Sequence, residues 1–471
     1  MSTNPIVNFD QSTEQDKLKK RLQKRSTWMT ALFVGIALLS GSMGAALAFL
    51  LASKPFQQTQ VSQDVTNPDS MTASTAGLPE LTRPVNILVL GTIVLTSDLP
   101  DAEQKPKDKY LAQVNSTLNG QSDAILLVRF DPTIKKISAL SVPRDSRVDI
   151  PGIGYGKINS ANYVGGASLS AQTVSQTLGN VEIDRYFRVN VDGFGKLVDA
   201  LGGVDIYVPK RMKYQDDSQH LYINLNPGQQ HLNGSKAVQY MRFRYDDLGD
   251  IGRVQRQQTL IRALIEQKLN LATVSRLPDI LAVLKENIDT NLSVEEMLAL
   301  AAFAANTDRK DARMLMAPGR FSAPGEFPLS YWILDDRHLL RLMADHFNVA
   351  IPTEALERVN HSPSYLRVAI QDSISTPEGV NIASDVLSKA GYGQVFPTDD
   401  PWAKPLAKTQ IIAQQGDRAS AEQVRNTLGV GEVVLESTGS IESDVTVRLG
   451  SDWLKLKSIQ VSKPKPLPAK S

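Results

Sequence analysis

The segment AILLVRFDPTIKKISALSVPRD at residues 124–145 decides the fold, because it contains two apolar runs separated by a short polar turn. The runs at 124–130 and 136–142 are typical of β-strands, and the Asp-Pro pair between them is typical of a turn. Upstream, the apolar run VNILVLG at 85–91 predicts another buried strand. The three runs therefore predict the centre of a β-sheet.

Helical patterns alternate with further strand patterns along the rest of the chain. Phe194 starts an i, i+3, i+4, i+7 series that predicts a helix capped by Asp192 and stopped at Gly202. A second series predicts a long amphipathic helix over residues 253–270. Further predicted helices cover residues 168–178, 234–241, 274–287, 293–306, 335–347, 380–390 and 419–428. This alternation predicts an α/β fold in which helices cover both faces of a sheet, an α-β-α layered arrangement.

Composition divides the chain further. Residues 28–52 carry no charge, and about 25 apolar residues suffice to cross about 30 Å of hydrocarbon. The basic residues that precede this segment keep the N-terminus in the cytoplasm, so that everything after the segment lies outside the cell membrane. A cleaved signal peptide is the alternative interpretation. The sequence thus predicts a single-pass membrane protein with extracytoplasmic domains.

The predicted domains follow from these segments. They are a cytoplasmic basic arm (1–27), a single N-terminal transmembrane helix (28–52), a flexible stalk (53–84), a catalytic domain (85–349), a linker (350–364), a smaller α/β C-terminal domain (365–455) and a disordered tail (456–471).

Composition also excludes several kinds of site. The chain has no cysteine, which excludes a disulfide scaffold, a thiolate metal site and a cysteine nucleophile. Its five histidines lie far apart in sequence and form no HExxH motif, which argues against a histidine zinc site. The formal net charge is +1, so the chain as a whole is not a polyanion binder, and we expect no nucleic-acid partner.

The stretch RFRYDDLGDIGRVQRQQ at residues 242–258 concentrates arginines among aspartates. A guanidinium group is planar, always charged, and fits phosphate oxygens two at a time. If the chain is extended at Arg242 and Arg244, their side chains share one face. A solvated cluster of salt bridges is the alternative interpretation of this stretch.

The second half of the stretch fits a helix. Gly252 suits a loop that turns into a helix N-terminus, which is itself an anion-binding position. Arg253, Arg256 and Gln257 lie three and four residues apart, so they share a face if the segment is helical. This half therefore predicts further phosphate-binding side chains.

Other polar residues follow or begin the predicted strands. Arg144 and Asp145 come just after an apolar strand, where open sheets place ligands, although a turn with a local ion pair is the alternative. Asp123 lies at a strand entrance, either as a solvated carboxylate or as a ligand of a hard cation. Lys157 and Asn159 lie in the polar segment KINSANYVGG, which is also compatible with an ordinary loop.

In order and spacing, several segments resemble the LytR-CpsA-Psr family of membrane-anchored cell-envelope proteins. The matching segments are NILVLG, SDAILLVRFDP, ISALSVPRDSRV, KINSANYVGG, IDRYFRVNVDGF, LVDALGGVDIYV, GQQHLNG and RFR…GDIGRVQRQQ. Residues 365–453 resemble, more weakly, the C-terminal domain of some members, and residues 274–348 look most like cyanobacterial members.

The resemblance implies a transferase. Such proteins take a glycopolymer from a polyprenyl-pyrophosphate carrier and join it by a phosphodiester to a peptidoglycan hydroxyl. The implied fold is a sheet between helix layers with an apolar channel for the polyprenyl chain. The implied partners are the lipid-linked glycopolymer, peptidoglycan and the membrane.

The resemblance also implies roles for individual residues. The family's pyrophosphate-contacting arginines fall on Arg144, Arg242, Arg244 and Arg253, its adjacent glutamine on Gln257, its metal-linked aspartate on Asp123 and a further aspartate on Asp250. Arg256, Lys157 and Asn159 are further substrate-binding candidates. Arginines and Mg²⁺ (or Mn²⁺) would stabilise the transferring phosphoryl oxygens. Either Asp250 or Asp145 would accept the hydroxyl proton, although Asp250 is equally compatible with a helix N-cap.

Two departures from the family pattern bear on activity. Ile93 stands where the family has an aspartate after the first strand, and Gln121 stands where it has an arginine. Their loss weakens the expected metal site, for which Asp98 is the substitute we consider. Two alternative functions therefore remain: a non-catalytic protein that binds polyprenyl lipid or peptidoglycan, and a polyprenyl-pyrophosphate phosphohydrolase.

Overall fold

The computed structural model describes residues 69–73, 78–93, 118–217, 221–244, 249–350, 362–398, 402 and 404–456. Within these ranges, no helix combines the length and the apolar character that a membrane span requires. The predicted basic arm, transmembrane helix and most of the stalk lie outside the described residues, as do most of the linker and the C-terminal tail.

The described chain alternates strands and helices as the sequence predicts. The strands are β1 Thr72–Ala73, β2 Glu80–Leu81, β3 Val85–Ile93, β4 Gln121–Asp131, β5 Lys136–Ser141, β6 Arg147–Ile150, β7 Gly154–Lys157, β8 Arg185–Asn190, β9 Val204–Val208, β10 Met212–Asp216, β11 Leu221–Leu225, β12 Gly228–Leu232, β13 Ile288–Thr290, β14 Ala312–Met316, β15 Gly319–Phe321, β16 Trp332–Leu334, β17 Arg367–Asp372, β18 Gln394–Pro397, β19 Gln410–Ala413, β20 Glu432–Val434 and β21 Val445–Leu449. The helices are α1 Ser160–Thr177, α2 Val191–Ala200, α3 Gly234–Arg242, α4 Gly249–Lys268, α5 Leu271–Ser275, α6 Leu277–Leu284, α7 Val294–Ala305, α8 Asp336–Phe347, α9 Pro377–Lys389, α10 Arg418–Leu428 and α11 Ser451–Leu456.

A mixed six-stranded sheet has the strand order β13-β8-β3-β4-β5-β14. The three strands predicted from the apolar runs form its centre, where β4 pairs antiparallel with both β3 and β5. Strand β8 runs parallel to β3, and β14 runs parallel to β5. The C-terminal end of β5 and the N-terminal end of β4 therefore meet at the same edge of the sheet.

Helices cover both faces of this sheet. On one face, Leu88, Leu127 and Leu140 are fully buried in one apolar cluster with residues of α1 and α8. On the other face, Phe130 packs edge-on against Phe303 of α7, with ring centroids 6.2 Å apart. Leu127 and Phe130 point to opposite faces because successive residues of a strand alternate between the faces. The predicted α/β fold with helices on both faces is therefore confirmed for the described residues.

A second, five-stranded sheet has the order β18-β17-β21-β19-β20. It lies with α9, α10 and α11 in residues 362–456, which we call the C-terminal lobe. The apolar cluster that contains Leu88, Leu127 and Leu140 of the first sheet also includes Leu342 of α8, and it extends into this lobe to Val368 and Trp453. The two sheets thus share a hydrophobic core within the described part of the chain.

Several local predictions were wrong for identifiable reasons. Asn190, rather than Asp192, caps α2, because its side chain accepts a hydrogen bond from the Gly193 amide at 2.8 Å. The helix predicted over 168–178 begins earlier, at Ser160 in the polar segment KINSANYVGG, and kinks where Gly166 has a φ of 61°. The helix predicted over 274–287 is divided into α5, α6 and a final 3-10 turn.

His346 links the two sheets through hydrogen bonds that require its neutral form. Arg313 Nη1 of β14 donates to His346 Nδ1 at 2.6 Å, and His346 Nε2 lies 3.2 Å from the Gly416 carbonyl of the C-terminal lobe. Burial, with the charge of Arg313 as a second cause, lowers the pKa of His346 from 6.5 to about 4. The unfolded chain therefore binds this proton more readily than the folded chain.

We expect this histidine to make the protein less stable in mild acid. A lowered folded-state pKa gives a contribution that is complete above pH 6.5 and is lost as the pH falls towards 4. Between pH 7.5 and pH 5, His346→Gln should lose about 2 kcal/mol less unfolding free energy than the wild type. Urea unfolding at both pH values measures this, with the exposed His231→Gln as control. An identical decline in all three proteins would contradict the assignment.

Candidate active site

A β-bulge aims the Asp123 side chain at the edge of the sheet. Along β3 and β4, Gly91 pairs with Ala124 but Thr92 pairs with Ser122, so Asp123 is the extra residue. A bulge of this kind redirects a side chain and is common beside active sites. Asp123 was predicted at a strand entrance, and the structure places it as the third residue of β4.

The start of β4 is held by a buried network. Asn162 of α1 donates to the Leu118 carbonyl at 3.0 Å and to the Gly120 carbonyl at 2.6 Å. Arg188 of β8 donates to the Asn162 side-chain oxygen at 3.1 Å and forms a buried ion pair with Asp289 of β13. The network fixes the residues immediately before the bulge against the centre of the sheet.

Three arginines that are distant in sequence converge on the Asp123 carboxylate. Arg144 Nη1 lies 2.6 Å from Asp123 Oδ1, while Arg244 Nη2 and Arg253 Nη1 each lie 3.5 Å from Oδ2. Arg253 is almost fully buried, with 2% of its side chain exposed, whereas 40% of the Arg244 side chain is exposed. The set therefore has a fixed base and an open side, which suits an anionic ligand that arrives from solvent.

The electrostatic balance at Asp123 is dominated by these arginines. Burial raises the pKa of Asp123, but the charges of Arg253, Arg144 and Arg244 outweigh it and lower the pKa below 3.8. The carboxylate is therefore ionised at neutral pH. Guanidinium groups that converge on one carboxylate are also the donors that bind phosphate oxygens most strongly.

Arg242 reaches the same cluster from the end of α3. Burial is the main cause that lowers the pKa of Arg242, and the charge of Asp123 opposes that shift. Arg242 and Arg244 were expected to share a face if the chain was extended there, and this condition is not met, because Arg242 is the last residue of the helix α3. Phe243 ends the helix in an extended conformation, and Arg244 follows it outside the helix.

Arg256 lies on α4, and its side chain binds the backbone between Arg242 and Arg244. Its guanidinium donates a hydrogen bond to the Phe243 carbonyl and lies 5.4 Å from the centre of the Phe243 ring. These contacts hold the residue between Arg242 and Arg244. Gln257 is buried on the same helix. The described contacts of Arg256 therefore favour a role in positioning Arg242 and Arg244.

Asp145 and Lys157 form a second charged group beside the first. Lys157 Nζ lies 2.9 Å from Asp145 Oδ1, and Arg144 Nε lies 3.7 Å from Asp145 Oδ2. Asn159 connects this loop to β4, because its Nδ2 donates to the Gln121 side chain at 3.0 Å. Gln121, one of the two departures from the family pattern, thus makes a structural hydrogen bond.

A cavity of about 200 Å³ lies against these charged residues. Arg144, Asp145 and Arg253 line it, and its other walls are Pro143, Ile251, Val254, Phe321, Ser330, Tyr331 and Trp332. The aromatic residues of the wall, Phe321, Tyr331 and Trp332, come from the β15–β16 hairpin, which no pattern in the sequence predicts. The aromatic residues in FSAPGEFPLSYW were the available signal, but nothing local connects them to Arg144.

The Trp332 backbone amide donates to the Asp145 carbonyl at 2.9 Å. This hydrogen bond attaches the hairpin to the loop that carries Arg144 and Asp145. The position of the hairpin is therefore tied to the position of these charged residues.

Some predicted site residues are not described in full. Helix α4 begins at Gly249, so Gly252 lies inside it and Asp250 is its second residue rather than a cap. The Asp250 side chain and the Ile93 side chain lie outside the described part of the structure, and Asp98 lies outside it altogether. Among the described residues, no group of three His, Cys, Asp or Glu side chains could hold a metal ion.

We expect Asp123→Asn to bind diphosphate more tightly in metal-free buffer. The substitution removes the negative charge that opposes an anion among the arginines, so affinity for inorganic pyrophosphate should rise about tenfold, which corresponds to 1.4 kcal/mol. Isothermal titration calorimetry with EDTA measures this.

Asp131→Asn is the control for this comparison. Asp131 is a carboxylate on the same strand, paired with Arg129 at 3.2 Å. We expect it to lower thermal stability without changing pyrophosphate affinity. Weaker binding by Asp123→Asn would instead mean that Asp123 holds the arginines in their binding arrangement.

The chain is similar in sequence to several known proteins. Over 203 residues the chain is 36% identical to the regulatory protein MsrR of Staphylococcus aureus, covering 42% of this chain and 60% of MsrR, less than two thirds of that relative. Over 355 residues it is 29% identical to the polyisoprenyl-teichoic acid–peptidoglycan teichoic acid transferase TagU of Oceanobacillus iheyensis, covering 71% of this chain and 96% of TagU. The crystal structure of Bacillus subtilis TagV is 28% identical, covers 57% of this chain and 99% of that chain, and superposes with a TM-score of 0.47.

Two family matches account for most of the described residues. The LytR_cpsA_psr family matches residues 51–346, and the family described as LytR cell envelope-related transcriptional attenuator matches residues 365–453. Because the first match spans more than half of the 471 residues, and because the segments that carry the resemblance form the arginine cluster, the protein is a member of the LytR_cpsA_psr family.

Proposed function

We propose that the protein transfers a glycopolymer from a polyprenyl-diphosphate carrier to a hydroxyl group of peptidoglycan. The observation that carries the proposal is the convergence of Arg144, Arg244 and Arg253 on one buried carboxylate beside a cavity. Family membership supports it, as does the name of TagU, a relative that transfers teichoic acid from a polyisoprenyl carrier to peptidoglycan.

The arginines would bind the diphosphate by exchanging one anion for another. Arg244 has 40% of its side chain exposed and Arg144 lines the cavity, so their guanidinium groups would turn from Asp123 to the phosphate oxygens with little movement of the backbone. Arg253, buried beneath them, would keep its position. The diphosphate already contains a good leaving group, so positioning and neutralisation of charge supply most of the rate enhancement.

The transfer step balances without any oxidant or further co-reactant. The acceptor hydroxyl oxygen attacks the phosphorus next to the sugar, and a new phosphodiester bond forms. The bond from that phosphorus to the bridging oxygen breaks, and polyprenyl phosphate leaves. Asp145 lines the cavity and is the base that we assign to the hydroxyl proton, with Asp250 as the alternative.

We also propose that a divalent cation, Mg²⁺ or Mn²⁺, binds together with the donor. The described site contributes one carboxylate, Asp123, whose oxygens face three guanidinium groups. Such a donor set fits Mg²⁺ only when phosphate oxygens complete the coordination, which is how this ion is commonly held. The cation would supply additional neutralisation of phosphoryl charge. Asp98 remains the second ligand that we consider.

The location of the site follows from the proposed membrane anchor. If residues 28–52 span the cell membrane with the basic arm inside, the arginine cluster lies outside the cytoplasm. Polyprenyl-linked donors and peptidoglycan meet on that side. An apolar channel for the polyprenyl chain would open towards the membrane, and the apolar residues Ile251 and Val254 are one wall of the cavity that it would continue.

Arg144→Ala should reduce transfer about 100-fold to 1,000-fold, because one preorganised donor to the reacting phosphoryl group is lost. The assay supplies the purified full-length protein with polyprenyl-diphosphate-linked oligosaccharide and a peptidoglycan oligomer, and measures the phosphodiester product by mass spectrometry. Arg147→Ala is the matched control. Arg147 follows Arg144 by three residues, but its guanidinium stacks on Tyr155 and Phe327 at 4.3 and 4.6 Å.

The outcomes of this assay separate the possible functions. Loss of transfer by Arg144→Ala with normal transfer by Arg147→Ala supports the proposal. Free phosphorylated oligosaccharide formed without acceptor would identify a phosphohydrolase instead. Donor binding without any product in the wild type, with Mg²⁺ or Mn²⁺ present, would identify a lipid-binding protein that has lost its chemistry.

Binding of the cation should depend on the diphosphate. We expect Mg²⁺ alone to show no saturable binding in the millimolar range and to bind once inorganic pyrophosphate occupies the arginines. The reason is that three positive charges surround Asp123 in the free protein. Calorimetric titration with Mg²⁺, with and without pyrophosphate, measures this, and Asp123→Asn should abolish the difference. Tight Mg²⁺ binding without pyrophosphate would contradict it.

A further inference from the structure

We propose that the C-terminal lobe is part of the transfer site, because its segment 435–441 fixes the position of α4 and therefore of Arg253. We call this segment the clamp. The proposal rests on the proposed function for its activity readout. Its structural part, the fixing of a diphosphate-binding arginine by the clamp, can be tested separately.

Helix α4 has two different buried sides. Arg253 points from one side to Asp123, and Leu260 and Leu264 continue that side into the apolar cluster around β9, β11 and α3. The other side carries Ile251, Gln255, Gln258 and Arg262, whose spacing of four, three and four residues places them in one row. Every member of this second row contacts the clamp or the edge strand next to it.

Gln255 makes the contact nearest to Arg253. Its Nε2 donates to the Ser437 carbonyl at 3.1 Å and to the Gly439 carbonyl at 2.8 Å. Gln255 is two positions after Arg253, with only Val254 between them, so these bonds act within the same turn of the helix. Each hydrogen bond has only one orientation, since an amide nitrogen donates and both partners accept.

Apolar packing accompanies these bonds. Ile441 of the clamp packs against a buried cluster that contains Ile251 and Val254 of α4 together with Met316 and Trp332. Ile251, Val254 and Trp332 also line the cavity beside Arg144. The clamp therefore lies directly behind the wall of the proposed site.

Arg262 extends the contact two turns further along α4. Its Nη1 lies 2.5 Å from Glu436 Oε2, and Arg448 of β21 lies 3.7 Å from Glu436 Oε1. Burial raises the pKa of Glu436, but the charges of Arg262 and Arg448 outweigh this effect and lower it. A buried ionised group of this kind tolerates little displacement, because separation from its partners leaves an uncompensated charge.

The clamp is also joined to the first sheet. The Met316 amide donates to Ser437 Oγ at 2.8 Å, the Ser437 amide donates to the Met314 carbonyl at 3.0 Å, and Glu436 forms a parallel bridge with Met314. Gln258 of α4 donates to the Leu315 carbonyl of the same strand at 3.0 Å. The clamp, β14 and α4 are thus joined to one another by hydrogen bonds. A displacement of the clamp would therefore displace α4 and with it Arg253.

Gln255→Glu tests the clamp with almost no change in shape. The substitution replaces a donor with an oxygen that faces two carbonyl oxygens, so the clamp should move away from α4. Gln267→Glu is the matched control: Gln267 lies on the same helix, and its side chain bonds to the Asp205 backbone at 2.8 Å, away from the C-terminal lobe. We expect Gln255→Glu to reduce kcat for transfer about 10-fold to 100-fold, as displaced catalytic groups do, and Gln267→Glu to leave it unchanged.

A double-substitution cycle separates positioning from general loss of stability. If Gln255 acts through Arg253, Gln255→Glu should cost less than about twofold when added to Arg253→Lys, because the group that it positions is already altered. The same factor in both backgrounds would overturn the proposal. So would equal effects of Gln255→Glu and Gln267→Glu on kcat.

Binding of inorganic pyrophosphate provides a readout that does not require transfer. Gln255→Glu should weaken this binding at least threefold relative to Gln267→Glu, and thermal unfolding confirms that both proteins are folded. If the wild type transfers nothing, this difference still supports the clamp while the proposed function fails. If Gln255→Glu does not fold, Ile441→Ala replaces it. An unchanged pyrophosphate affinity in the folded variant would overturn the clamp.

Discussion

The structure depends on one buried carboxylate held among guanidinium groups. Arg144, Arg244 and Arg253 converge on Asp123, although 130 residues separate Asp123 from Arg253 along the chain. The negative charge of Asp123 lies between guanidinium groups of which Arg253 is almost fully buried, and a buried charge is costly unless it is paired. In the proposed function, a diphosphate would take the place of this carboxylate as the partner of the guanidinium groups.

The scaffold around this group is divided between layers that do different work. The strands β4 and β5 supply Asp123 and the loop with Arg144, and their antiparallel pairing brings both to the same sheet edge. The helix α4 supplies Arg253 and the apolar side of the cavity. Arg242 and Arg244 come from the end of α3 and the residues after it, where Arg256 holds the Phe243 carbonyl. Buried polar contacts such as the one between Arg256 and Phe243 connect these elements and keep their arginines together.

The sequence predicted those parts of the molecule that local pattern determines. The apolar runs at 85–91, 124–130 and 136–142 correspond to β3, β4 and β5, and Arg144 and Asp123 were expected at the sheet edge where the structure has them. The bulge at Asp123 could not be predicted, because it depends on the register between two strands. The contacts of Arg256 with Phe243 and of Gln255 with Ser437 depend on chain segments that meet only after folding. The alternation of residues in a strand or helix contains no information about such partners.

The buried network before Asp123 has a consequence for how this fold tolerates variation. Asn162 holds the carbonyls of Leu118 and Gly120, and Arg188 in turn holds Asn162. The strand β4 thus begins at a point that is anchored to α1 and, through Asn162 and Arg188, to β8. A change at Asn162 in α1 would therefore displace the bulge, and with it the carboxylate that the arginines face.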